Sequence, residues 1–232
     1  MEKTMKNALV FGATGLVGKE LIRQLVKASM YNQIFFLARK LDSELSELVK
    51  NYPQKLVPIL LNDLGQWKGV LEDSYGEIDI FCALGTTIKT AGSREAFKKI
   101  DFELVINLFK KAKNLNIHSV ALVSSMGADP KSKIFYSQIK GEVEQALIAM
   151  DFPYLLIVRP SLLLGNREEF RLGEKIMRDL SPFLNVFLLG PLSEYRPVHC
   201  SLVSATMIKE LQSDHANKLK ILTNKDIHQY NL

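Results

Sequence analysis

The chain has 232 residues, of which 47% are hydrophobic and 24% charged, a composition typical of a globular domain and not of a disordered chain. The net charge of +5 suits an anionic ligand such as a nucleotide, whereas the densest lysine clusters fall within one helical pattern and predict no nucleic-acid partner. No apolar run approaches the ~18 residues of a membrane helix, and two cysteines without a Cys/His cluster predict neither a disulfide framework nor a metal site.

Short apolar runs alternate with amphipathic helical segments along the chain. The predicted strands lie at residues 8–11, 34–38, 56–61, 78–83, 120–124 and 154–158. The predicted helices lie at residues 19–30, 94–114, 135–150, 168–180 and 204–212, with a short apolar run at 185–189. Such alternation favours an α/β fold, a doubly wound parallel sheet of the Rossmann type. We predict a single domain, residues 1–232, in which residues 160–232 close over the substrate side as a small lid.

A glycine-rich loop, GATGLVG, follows the first predicted strand and opens the first helix. Gly12 allows a tight turn, Gly15 lets the backbone approach a pyrophosphate, and Gly18 lets the helix pack closely against the strand. The helix N-terminus then offers free N–H groups to the phosphates. The sequence therefore predicts a dinucleotide-binding loop that also contains Thr14 and the pair Leu16-Val17.

The end of the second predicted strand indicates which dinucleotide binds. NAD enzymes usually carry an acid about 20 residues past the loop, where it binds the ribose 2′-hydroxyl. Here Arg39 lies 21 residues after Gly18, Lys40 follows it, and the next acid is Asp42. Two adjacent cations suit a 2′-phosphate and predict NADP(H) as the cofactor. The alternative is a solvent-facing turn that happens to be basic.

Two further loops follow predicted strands at the edge where such sheets bind ligands. Asp63 comes after the third strand and is a candidate contact for the adenine. Leu84 and Gly85 come after the fourth strand, where small residues let the backbone run beside the adenosine ribose and the phosphates. A plain turn would have the same composition at either place.

Tyr136 and Lys140 form a YxxxK pattern at the start of the helix predicted at residues 135–150. Residues four apart share a helix face, so the Lys140 ammonium would favour the phenolate form of Tyr136. Such a tyrosine gives or takes an alcohol proton during hydride transfer. Ser124 and Ser125 end the preceding strand, and either hydroxyl could hold the substrate oxygen. The alternative is an ordinary pair on a helix surface.

Together these motifs resemble the short-chain dehydrogenases/reductases. More narrowly, three strings resemble the atypical branch that contains the human Tat-interacting protein and its bacterial relatives: FCALGTTIKTAGS, SSMGADPKSKIFYSQIKGEVE and VRPSLLLGNREEFRLGE. The likeness runs over nearly the whole chain. It implies an NADP(H)-binding Rossmann fold with oxidoreductase activity.

The resemblance also implies a role for individual residues along the cofactor. It places Thr14, Gly15, Leu16 and Val17 at the pyrophosphate, Arg39 and Lys40 at the 2′-phosphate, and Leu84 and Gly85 at the adenosine half. Tyr136 would be the proton donor or acceptor, and Lys140 would contact the nicotinamide ribose. Leu163 would run beside the nicotinamide, and Arg171 would reach back towards the cofactor from the following loop.

One position departs from the pattern of many short-chain dehydrogenases, which carry an asparagine in the helix after the fourth strand to support a proton-relay water. The nearest equivalent here is Asp101, so the relay is expected to differ. Of the two serines, the resemblance favours Ser125, because in many family members the second of the pair faces the substrate.

Two functions fit these residues. The first is an enzyme that transfers hydride between NADPH and a carbonyl or alcohol substrate, and the intact Ser125, Tyr136 and Lys140 favour it. The alternative is an NADP(H)-binding sensor with little turnover, acting through a protein partner or a homodimer. Nucleotide-sugar epimerase is disfavoured, since the chain lacks the length of a sugar-binding lobe. We expect a small-molecule substrate whose pocket residues 166–195 shape, and a cytoplasmic location with no membrane partner.

Overall fold

The computed structural model describes residues 5–71, 76–165 and 195–230. Within them the main sheet has the strands β1 (Lys6–Phe11), β2 (Tyr31–Ala38), β3 (Leu56–Leu60), β4 (Ile78–Cys82), β5 (Ile117–Val123), β6 (Leu155–Arg159) and β9 (Leu219–Thr223). Two short strands, β7 (Leu163–Leu164) and β8 (Val198–His199), pair separately. The main sheet has the order β3-β2-β1-β4-β5-β6-β9, and every neighbouring pair is parallel. The predicted doubly wound α/β fold is confirmed.

Helices cover both faces of this sheet. They are α1 (Leu16–Leu25), α2 (Ser43–Asn51), α3 (Ile88–Ala91), α4 (Arg94–Lys98), α5 (Val105–Ala112), α6 (Phe135–Ile148), α7 (Cys200–Leu211) and α8 (Asn224–Gln229), with a 3-10 turn at Leu64–Gln66. The buried side chains form two clusters, one between the sheet and α1, α2 and α7, the other between the sheet and α5 and α6. Successive residues of β1 alternate between the clusters, because neighbouring strand side chains point to opposite faces.

The helix predicted at residues 94–114 is not uniform. Between α4 and α5 the backbone forms a π-helical segment, Lys99–Leu104, and α5 ends at Ala112. Asp101 is buried within this segment. Local π-helical turns are frequent at functional sites, and sequence periodicity does not distinguish them from ordinary α-helix.

The described part of the C-terminal region belongs to the main sheet and its helical layer, whereas its predicted role as a substrate-side lid stays a prediction. β9 extends the sheet beyond β6, and α7 packs against α1. We missed β9 because it is an edge strand whose side chains are exposed except for Leu222, so its apolar signal is weak. The helix predicted at 168–180 and the apolar run at 185–189 lie outside the described residues. Among the residues that are described, no helix is both long and apolar enough to cross a membrane.

Candidate functional site

The strand order places the predicted site residues along one edge of the sheet. The order reverses direction between β1 and β4, and doubly wound sheets bind ligands in the crevice outside the strand ends at that point. The glycine-rich loop follows β1, the Arg39-Lys40 pair follows β2, and Asp63 lies beyond β3. Leu84 and Gly85 follow β4, and the serine pair follows β5. Because all these strands are parallel, their carboxyl ends meet at the same edge.

The glycine-rich loop packs directly against the loop after β4. Gly12 has φ +85°, and a Cβ atom there would lie 2.6 Å from the Ala83 carbonyl carbon and the Leu84 nitrogen. A Cβ atom at Gly18 would lie 1.9 Å from the Gly12 oxygen. Only glycine therefore fits at these two positions, as a dinucleotide loop requires.

The start of α1 is suited to a phosphate group. Gly15 precedes the helix without a side-chain cap, and the first turn carries no acidic residue. Its N–H groups and the positive end of the helix dipole are therefore available to an anion. Thr14 is exposed and Leu16 half-buried, whereas the Val17 side chain packs into the core. Val17 can thus contribute only its backbone to the predicted contact.

The end of β2 combines unpaired cations with an acid that is already paired. Arg39 and Lys40 are exposed, and neither forms a hydrogen bond or ion pair with the residues that the structure describes. Asp42 caps α2 by accepting a hydrogen bond from the Leu45 N–H at 3.0 Å, and it forms an ion pair with Lys19. The Leu45 N–H and the Lys19 ammonium lower the pKa of the Asp42 carboxyl.

Asp63 begins the 3-10 turn after β3. Its Oδ1 accepts a hydrogen bond from the Gly65 N–H at 2.8 Å, and its side chain is exposed at the ligand edge. The Gly65 carbonyl in turn accepts hydrogen bonds from Lys111 Nζ at 2.5 Å and Asn107 Nδ2 at 3.3 Å on α5. These hydrogen bonds fix the turn to α5. The contact of Asp63 with the adenine stays a prediction.

Tyr136 and Lys140 lie one turn apart on α6. The Tyr136 ring packs against Phe97 with a centroid distance of 5.5 Å, and Lys140 Nζ lies 5.9 Å from the Tyr136 ring centroid. Lys140 is buried and forms an ion pair with Asp101 Oδ1 at 2.7 Å. The Thr86 N–H donates to Asp101 Oδ2 at 2.8 Å, which ties the ion pair to the loop after β4.

This ion pair decides the charge of Lys140. Burial alone would lower the pKa of Lys140, but the combined effect of its neighbours, with the Asp101 carboxylate first among them, outweighs burial and raises it. Lys140 therefore remains an ammonium ion in a buried place. Gly85 lies against the pair, since a Cβ atom there would be 3.1 Å from both Asp101 Oδ1 and Lys140 Nζ. Gly85 is thus next to Lys140. The prediction that Gly85 lies at the adenosine half of the cofactor does not include this contact.

The structure distinguishes the two serines that the sequence leaves open. Ser124 Oγ donates a hydrogen bond to Glu144 Oε1, and Glu144 also binds Arg159 through Nε at 3.0 Å and Nη2 at 2.5 Å. Ser125 Oγ is buried and has no hydrogen-bond partner among the described residues. The Ser124 hydroxyl is thus occupied, whereas the described residues leave the Ser125 hydroxyl without a partner. We missed Glu144, although its position four residues after Lys140 puts it on the same helix face.

Comparisons with known proteins agree with this geometry. Residues 12–182 match a family described as NAD(P)H-binding. Protein FMP52, mitochondrial, of Saccharomyces cerevisiae is 35% identical over 69% of this chain and 67% of its own length. Protein FMP52, mitochondrial, of Coccidioides immitis is 30% identical over 96% of this chain and 95% of its own. The chain belongs to the NAD(P)H-binding family.

The fold of this chain is similar to that of a solved structure, which agrees with membership of the NAD(P)H-binding family. A short-chain dehydrogenase from Streptomyces avermitilis superposes with a TM-score of 0.66 at 17% identity, covering 98% of this chain and 91% of that one.

The two FMP52 relatives are named mitochondrial, which contradicts our expectation of a cytoplasmic location. The sequence patterns used for that expectation concern membrane helices and cysteines, which do not distinguish these compartments. The narrower likeness to the branch with the Tat-interacting protein stays a prediction.

Two predicted cofactor contacts of this NAD(P)H-binding chain lie after β6. Leu163 is half-buried in β7, opposite Val198 of β8. Gly165 passes close to the glycine-rich loop, since a Cβ atom there would lie 2.5 Å from Leu16 Cδ1. Arg171 lies outside the described residues, as does nearly all of the segment 166–195 predicted to shape the substrate pocket.

Proposed function

We propose that this protein is an NADP(H)-dependent oxidoreductase of the short-chain dehydrogenase/reductase type, which interconverts a carbonyl compound and an alcohol. The observation that carries the proposal is the combination of Tyr136, a charge-paired Lys140 and a Ser125 hydroxyl without a partner among the described residues, at the same sheet edge as the glycine-rich loop. A protein that only bound the dinucleotide would need the loop but not a serine, a tyrosine and a lysine at the same edge.

Each of these residues has a distinct part in the reaction. When bound, the nicotinamide cofactor supplies the hydride that reduces the carbonyl carbon. Tyr136 donates its phenolic proton to the carbonyl oxygen, so that one hydride and one proton together make the alcohol, and it takes the proton back in oxidation. The Ser125 hydroxyl donates a hydrogen bond to the same oxygen. Lys140 is the fixed cation one helical turn from Tyr136, and it would hold the nicotinamide ribose.

We propose NADP(H) rather than NAD(H), on the basis of Arg39 and Lys40. Both cations are exposed where β2 ends, and the described residues offer them no counter-charge. A 2′-phosphate carries about two negative charges, which arginine binds through two parallel N–H groups and lysine as a point charge. The cofactor itself would therefore provide the missing counter-charge.

The alternative, an NADP(H) sensor without turnover, is tested by a panel of aldehydes, ketones and quinones. Consumption of NADPH is followed by its absorbance, with the Tyr136→Phe variant as the matched control. We expect at least one compound to be reduced by the wild-type protein and much more slowly by the variant. NADPH binding without consumption in the whole panel would overturn the enzyme in favour of the sensor. Equal non-zero rates for both proteins would instead exclude Tyr136 as the proton donor.

A further inference from the structure

We infer that Lys19 is a specificity-determining residue for NADP(H), which acts by neutralising Asp42 beside the cations that meet the 2′-phosphate. This inference rests on the proposed preference for NADP(H). Lys19 lies on α1 and is not part of the basic turn after β2. Its effect on the cofactor is therefore indirect, through an acid that would otherwise repel the phosphate.

Asp42 is the acid that needs to be neutralised. It follows Arg39 by three residues and caps α2, with its Oδ1 3.0 Å from the Leu45 nitrogen. Hydrogen bonding to that N–H and the neighbouring Lys19 lower its pKa, so it is ionised at neutral pH. The basic turn therefore carries a fixed negative charge of its own. An unpaired carboxylate here would oppose the binding of a second anion.

The Lys19 ammonium removes this opposition. It forms an ion pair with Asp42 and lies 3.6 Å from Glu44 Oε2, also in the first turn of α2. Glu44 has a second cation, because Arg23 on α1 pairs with it as well. Both acids at the start of α2 thus meet cations of α1. Arg39 and Lys40 are left as the uncompensated charges of the turn.

Lys19 lies beside the glycine-rich loop and not on a remote surface. Lys19 and Glu44 line the same pocket as Thr14, Gly15 and Leu16 of the phosphate-binding loop. The Lys19 side chain is 26% exposed and that of Asp42 is 40% exposed. Both partners are therefore reached by water, which reduces the electrostatic effect of the pair without abolishing it.

Lys19→Met provides the first half of the test. The substitution keeps an unbranched side chain and removes the charge, so Asp42 loses its partner while Arg39 and Lys40 remain. We expect the dissociation constant for NADPH to rise about three- to tenfold, as for one partly screened charge facing a phosphate. The constant for NADH should stay within about twofold, because NADH has a hydroxyl in place of the phosphate. Calorimetric titration with both cofactors at low salt measures this.

Asp42→Asn provides the second half. Asparagine is as good a helix N-cap as aspartate, so the substitution removes the charge and retains the start of α2. In the Lys19→Met background it should restore NADPH affinity to near the wild-type value. Lys27→Met, an exposed lysine beyond the end of α1, is the matched control and should change neither constant. Melting temperatures check that all variants remain folded.

The results separate this inference from the proposed function. If Lys19→Met weakens NADPH and NADH equally, or if Asp42→Asn does not rescue it, Lys19 is a direct phosphate contact or a structural residue and the inference is wrong. Arg39→Ala is titrated alongside. If that variant retains full NADPH affinity, the proposal that Arg39 recognises the 2′-phosphate is wrong. If Arg39→Ala weakens NADPH and Lys19→Met does not, the inference alone fails.

Discussion

The two ends of the cofactor crevice differ in the burial and the pairing of their cationic side chains. At the end of β2, Arg39 and Lys40 are exposed and unpaired within the described part of the chain. Between β4 and α6, Lys140 is buried and already paired with Asp101 at 2.7 Å. A buried charge without a partner would be costly, whereas an exposed one is solvated until a ligand arrives. The exposed end is therefore suited to selecting the cofactor, and the buried end to holding a fixed charge for chemistry.

The largest effect should come from Tyr136→Phe at the buried end. Phenylalanine keeps the ring that packs on Phe97 but has no proton to donate. Turnover should fall by about 10²–10⁴, the usual contribution of a general acid, while affinity for NADPH stays unchanged. Rates and calorimetric titrations on the same preparation measure both. Near-native turnover in this variant would exclude Tyr136 as the proton donor.

At the exposed end, Arg39→Ala should act on binding alone. A hydrogen bond to a charged group contributes about 1.5–3 kcal/mol, so losing this contact should weaken NADPH on the order of 10–100-fold. NADH affinity should hardly change, because NADH lacks the phosphate. Titration of both cofactors decides the matter, and a variant that loses both equally would show that this turn does not recognise the 2′-phosphate.

Asp101→Asn should change the pH dependence at the buried end. The Asp101 carboxylate raises the pKa of Lys140 against the effect of burial, so without that charge the pKa falls. Lys140 then loses its proton at lower pH, and the basic limb of the pH–rate profile should move to lower pH. Asparagine retains an oxygen for the Thr86 N–H, which keeps the loop in place. An unchanged profile would mean that Asp101 does not control the charge of Lys140.

The smallest effect concerns salt. Because Arg39 and Lys40 are exposed, their attraction for the 2′-phosphate is screened, and the preference for NADPH over NADH should shrink a few-fold as ionic strength rises. Lys140 is buried, so the reaction rate with saturating NADPH should depend less on salt. Titrations and rates at several salt concentrations compare the two ends directly. A preference that is independent of salt would argue against recognition by exposed charges.

Much of the fold was predictable because it depends on local patterns. The buried strands of a parallel sheet are continuous apolar runs, and the glycine-rich loop has a spacing that its turn requires, as Gly12 and Gly18 show. The edge strand β9 lacks such a run, since its side chains are largely exposed. Its place in the sheet depends on pairing with β6, a contact between segments about 60 residues apart that a local pattern does not encode.

The site was predictable in its parts but not in its connections. YxxxK spacing places Tyr136 and Lys140 on one face of a helix, and this follows from helix geometry alone. The partners of the other charges come from different elements: Asp101 from the π-helical segment for Lys140, and Asp42 from the N-cap of α2 for Lys19. The choice between Ser124 and Ser125 likewise depends on Glu144. Such tertiary contacts become visible only once the elements are packed.

A double-mutant cycle on Tyr136→Phe and Arg39→Ala tests the separation of the two ends most directly. The strands that precede them, β5 and β2, are three positions apart in the sheet, or about 14 Å at the usual strand spacing. The losses in kcat/KM for NADPH should then add, with a coupling energy within about 0.5 kcal/mol of zero. A coupling energy well above about 0.5 kcal/mol would contradict the proposed separation, because cofactor selection at Arg39 and proton transfer at Tyr136 would then not be independent.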